Sequence, residues 1–263
     1  MEQMENEKSP QRLAALRAHL ASLDAPVRRA TTQRVQDPAA FPDHWDRGVL
    51  HDLYAATAAD AVAVNAFGLG AALQAAEGRA IVWGLHEMAG REAGQPHGPG
   101  LHEMGLAPSG VLLVRARDIQ TLLTVGEEAL RTPAVGAVLL SAWGEAKALS
   151  LTASRRLALA AETGGGTLFL ARTGAIPAPS AAESRWSVRS ATSVPLEGGA
   201  PGRPSFSATL LRRRGGGDSR TWIMEWDRDR RVFRDPAPLS GAVVPLVAQR
   251  PAAASGTGRR RVA

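Results

Sequence analysis

The chain has 263 residues, 44% of them hydrophobic, no cysteine and a formal net charge of +6. That length supports one full core with tails. The missing thiols exclude a disulfide framework, a thiolate metal site and a cysteine nucleophile.

The polar start MEQMENEKSP has no apolar stretch behind it, and no run approaches 18 uninterrupted apolar residues. The expectation is a cytoplasmic protein without a membrane contact. Charge is uneven along the chain: residues 212–263 hold 12 arginines against five acids. The only lysines, Lys8 and Lys147, follow no glycine-rich loop.

Residues 9–23, SPQRLAALRAHLASL, place Leu13, Leu16, Leu20 and Leu23 at helical spacing, with Ser9 as cap and Pro10 in the first turn. This amphipathic helix has two readings, packing on its own domain or docking on a partner. A polar linker follows to Asp46. Three regions are expected: helix and linker over 1–46, an α/β domain over 47–235, and a flexible basic tail over 236–263.

Strands are predicted at Val49–Tyr54, Ala80–Leu85, Val111–Ala116, Val135–Leu140 and Thr167–Ala171, with helices over 57–76, 118–131 and 150–162. Short apolar strands alternating with helices imply a mostly parallel sheet covered on both faces. After Pro179 the pattern changes to alternating strands at Arg185–Ser190, Ser205–Arg214 and Thr221–Asp227. Turns rich in glycine and proline join them, and the glycines from Gly215 mark a hairpin. An antiparallel extension of the sheet is expected.

The first strand leads through Ala55-Ala56-Thr57-Ala58-Ala59-Asp60-Ala61-Val62 into a long apolar helix. In nucleotide-binding proteins such a turn grips phosphate with two glycines, a lysine and a magnesium-binding hydroxyl. None of these stands in register here, and Asp60 puts negative charge where phosphates would sit.

Several segments together are similar to the ImuA family of RecA-like proteins. They are RGVLHDLYA (47–55), GPGLHEMGLAPSGVLLVRARD (98–118), EEALRTPAVGAVLLSAW (127–143), LSLTASRRLALAAE (149–162), PSAAESRWSVRSATS (179–193) and TLLRRRGGGDSRTWIMEWD (209–227). The resemblance implies an α/β fold with a RecA-like core, a mostly parallel central sheet flanked by helices, and an antiparallel strand extension at the C-terminal side. Against that pattern the phosphate-loop positions are degenerate at Ala55, Asp60, Ala61 and Val62, with Ala61 at the lysine and Val62 at the magnesium hydroxyl. The Walker B carboxylate falls at Ser141, which cannot balance Mg²⁺ as a carboxylate does. Glu87 alone could match the water-orienting carboxylate.

The resemblance therefore implies no ATP hydrolysis, no cofactor, no metal and no catalytic residue. It implies an accessory protein of SOS-induced, error-prone translesion DNA synthesis. Its partners would be an ImuB-like Y-family polymerase homologue and, through it, an error-prone C-family DNA polymerase. RecA is a further candidate partner. Two alternatives stay open, a SulA-like cell-division inhibitor and a residual RecA-like nucleotide-binding protein.

Other constellations have plainer readings. Gly68-Leu69-Gly70 lies inside a helix, where glycines serve packing better than dinucleotide binding. His86, His97 and His102 with Glu87 and Glu103 lack metal-ligand spacing and suggest a solvated, irregular loop. Arg212, Arg213 and Arg214 on one strand and Arg228, Arg230 and Arg231 near the end of the next form either a solvated strand face or one basic patch. As a patch, with Arg259–Arg261 as an added arm, they would suit a partner surface or weak DNA contact.

Overall fold

The computed structural model describes residues 41, 45–216 and 218–236. The leucines of helix 9–23 and the tail beyond Pro236 lie outside the described residues.

Among the described residues, nine strands form one sheet in the order β3-β2-β4-β5-β1-β6-β7-β8-β9. They are β1 (Leu50–Ala55), β2 (Ala80–His86), β3 (Val111–Ala116), β4 (Val135–Trp143), β5 (Thr167–Thr173), β6 (Ser184–Ser190), β7 (Ser205–Arg213), β8 (Arg220–Asp227) and β9 (Val232–Arg234). The first six are mutually parallel, and β7, β8 and β9 add antiparallel strands on the β6 side. This is the RecA-like α/β core, with its antiparallel extension where the sequence placed it.

Helices cover the two faces. On one, α1 (Ala61–Ala76) packs against β1, β4, β5 and β6. On the other lie α4 (Ile119–Leu130) and α5 (Leu151–Gly164), which also contact each other. Asp118 starts α4 by accepting the Thr121 N–H at 2.7 Å. That bond holds its carboxyl below the usual carboxylate range.

Helix α1 is apolar around most of its circumference because it is covered on two sides. A Cβ on Gly68 would come within 2.9 Å of the Leu139 side chain, and one on Gly70 within 2.8 Å of Phe233 and 3.0 Å of Trp226. The sheet therefore curls until β8 and β9 close over the helix. With its leading turn, Ala58–Ala76 is long and apolar enough to cross a membrane, but 67% of that stretch is buried in this core.

Three expectations need correcting. The stretch read as an irregular loop after β2 holds two short helices, α2 (Glu87–Glu92) and α3 (Gly98–Glu103). Both have six residues, too short to show periodicity. Strand β9 was not foreseen at all. Finally, β4 and β5 run past their predicted ends to Trp143 and Thr173, because polar Ser141, Arg172 and Thr173 are buried in the sheet.

Candidate functional site at the carboxyl edge of the sheet

In open α/β sheets, ligands bind beyond the carboxyl ends of the parallel strands. Here that edge gathers the end of β1 and the start of α1, Ser141 of β4, and the loops after β2, β5 and β6.

The turn after β1 is locked by its own side chains. Thr57 has extended backbone and begins a 3-10 turn, Ala58–Asp60, that runs directly into α1. Asp60 is only 8% exposed. Its Oδ2 accepts the Thr57 N–H at 3.1 Å and the Thr57 O–H at 2.8 Å. Its Oδ1 accepts the Ser190 N–H at 3.0 Å and the Ser190 O–H at 3.4 Å. Burial pushes this carboxyl up, but bonds from Thr57 and Ser190 outweigh burial and hold it below its ordinary value. The sequence placed a bare charge at Asp60; the structure shows that charge spent on internal donors. Ala61 beside it is buried and Val62 is 65% exposed.

The Walker B position is also filled from within. Ser141 is buried, accepts the Trp83 Nε1–H at 2.8 Å and donates to Asn65 Oδ1 at 2.5 Å. Asn65 in turn donates from Nδ2 to the Ala61 carbonyl at 2.8 Å. The chain Trp83–Ser141–Asn65–Ala61 thus ties β2 and β4 to the first turn of α1. It uses the hydroxyl both as donor and as acceptor.

Glu87 opens α2 and pairs with Arg91 at 3.4 Å. Burial lowers the pKa of neighbouring His86, against Asp118 and Glu87. Among the described residues no group of three His, Asp or Glu side chains is arranged to hold a metal ion. Exposed apolar side chains stand in the segments that follow these strands: Val62 after β1, Met88 after β2, Ile176 after β5 and Leu196 after β6.

Of the two readings of the six arginines, the hairpin register rules out the single patch. In the hairpin Leu210 pairs with Arg220 and Ser205 with Glu225. Arg212, Arg213 and Arg214 therefore sit beside the Gly215–Gly216 turn, and Arg228, Arg230 and Arg231 lie beyond the other end of β8, roughly 25 Å away at 3.3 Å per residue. The end of one hairpin strand faces the start of the next, not its end. Arg212 donates to the Ala182 carbonyl and Arg213 pairs with Asp46, whereas Arg228 pairs with Glu103 and Asp229.

A buried polar cluster escaped the sequence reading. On the α4/α5 face, Asp52 in the middle of β1 accepts the Ser180 O–H and pairs with Arg185 Nε at 3.6 Å. Burial raises its pKa, against Ser180, Arg185 and Arg172. One row along, Arg172 donates to the Tyr54 hydroxyl at 2.8 Å and stacks over its ring. The Ala178 N–H also bonds to Tyr54, so these groups pin the loop between β5 and β6. The one available signal was an aspartate inside the otherwise apolar strand LHDLYA.

Two curated proteins named Protein ImuA, from Caulobacter vibrioides strains NA1000 / CB15N and ATCC 19089 / CIP 103742 / CB 15, match the chain. Each is 34% identical over 173 residues, spanning 62% of this chain and 67% of the relative. The chain belongs to the ImuA family. No protein-family profile matches it. At the carboxyl edge of this ImuA-family chain, the turn after β1 and Ser141 of β4 bond to the protein itself.

Proposed function

We propose that this chain acts in DNA damage-induced mutagenesis as a non-catalytic recruitment platform, a reading supported by its ImuA-family membership. Within it, the chain serves SOS-induced translesion synthesis by binding an ImuB-like Y-family polymerase homologue. Through that partner it reaches an error-prone C-family DNA polymerase. The observation that carries this reading is the internal satisfaction of both ion-handling positions. Asp60 is committed to Thr57 and Ser190, and Ser141 to Trp83 and Asn65. A polyphosphate would have to displace a carboxylate that already holds the Thr57 and Ser190 donors. The exposed apolar side chains Val62, Met88 and Ile176, each following a parallel strand, suit a protein contact better than a hydrated triphosphate.

Capture of purified full-length protein by the ImuB homologue tests this. Binding should be measurable without nucleotide. Ile176→Glu and Val62→Glu, both at exposed positions, should weaken it at least tenfold, with melting temperatures within about 2 °C of wild type. Failure of the wild-type protein to bind, while a folded control partner does, would overturn the proposal.

A further inference from the structure

We infer that Asp60 is a built-in oxyanion: Thr57 and Ser190 form a cradle of the class that binds carboxylate or phosphate, and the chain fills it from within. The inference rests on the degenerate phosphate turn described above and goes beyond it. It implies a latent anion site and a turn held in one conformation whether or not any nucleotide is present.

The donors come from two segments far apart in sequence. Thr57 with Asp60 alone is a local capping box, common at helix starts. Ser190 is 130 residues away and needs a separate reason. Strand β6 runs parallel to β1 and outlasts it: Ala55 pairs with Val188, and the Ala56 N–H still reaches the Val188 carbonyl at 2.8 Å. There the β1 chain turns away, leaving the Ser190 N–H without a strand acceptor on that side. An unpaired N–H at such a point is costly. Asp60 Oδ1 takes its place and fastens the turn to β6.

Two backbone N–H groups and two hydroxyls converging on one carboxylate match what oxyanions receive in protein sites. Ser190 itself is exposed, so the cradle lies at the surface once the side chain is removed.

Asp60→Ala in the full-length protein should melt about 4 °C below wild type. Sodium formate or acetate, titrated against chloride at matched ionic strength, should restore most of that loss saturably and leave wild type unchanged. Equal responses of both proteins to formate and to chloride would overturn the inference. Should the alanine variant not fold, Asp60→Asn keeps the shape but offers one oxygen where the carboxylate has two. Amide exchange at whichever of Thr57 and Ser190 loses its acceptor oxygen should then accelerate about tenfold while core amides hold. Unchanged exchange at both would count equally against it. Stabilisation of wild type by Mg-ATP would damage the functional proposal and leave the formate result standing.

Discussion

His51 carries the clearest titration at the scale of single residues. Its ring is buried, stacked on Phe169, with Nδ1 2.7 Å from Ser184 Oγ. Ser184 Oγ also accepts the Trp186 Nε1–H, so one hydroxyl bridges the imidazole and the indole. Burial and then Arg213 lower its pKa from 6.5 to about 3. Between those values the unfolded chain binds a proton that the folded chain refuses. Stability is therefore full above pH 6.5 and falls as pH drops towards about 3, by up to about 1.4 kcal/mol per pH unit. Asp60, with its lowered pKa, adds a loss at the acidic end, whereas Asp52, with its raised pKa, opposes it. Urea unfolding between pH 4 and 7.5 should show this slope, and His51→Gln should flatten it by about one proton. An unchanged slope in the variant would place the titration elsewhere.

Among the elements, α1 tests how closely the core is built. Gly70 faces Phe233 and Trp226 with no room for a methyl group. Gly70→Ala should cost about 1–3 kcal/mol in urea unfolding by forcing β8 and β9 away. Gly78→Ala is a useful contrast. It has positive φ of 83° and open space around it, so only backbone strain of about 1 kcal/mol is expected. Equal costs would mean that β8 and β9 do not hold α1. The long apolar strands and the helix starts at Asp118 and Ser150 were legible because local patterning and capping fix them. The three residues of β9 and the six of α2 or α3 carry no such pattern. The arginine patch failed on register: Arg212–Arg214 and Arg228–Arg231 are near in sequence, but a hairpin puts eight residues of β8 between them.

For the whole molecule, family membership and the RecA-like sheet were readable from segments spread along the chain. The positions Ala55, Asp60, Ala61, Val62 and Ser141 were singled out by the family resemblance, not by the strand pattern. What fills those positions was not legible. Asn65, Trp83 and Ser190 reach them from 58 to 130 residues away, and only the assembled sheet brings them in. Under the proposed function, the RecA-like core is a scaffold whose turn after β1 is held by its own side chains and whose contacts are made on its surface. Calorimetric titration of the full-length protein with Mg-ATP tests that most directly. The account predicts no saturable heat up to millimolar nucleotide; a micromolar dissociation constant would contradict it.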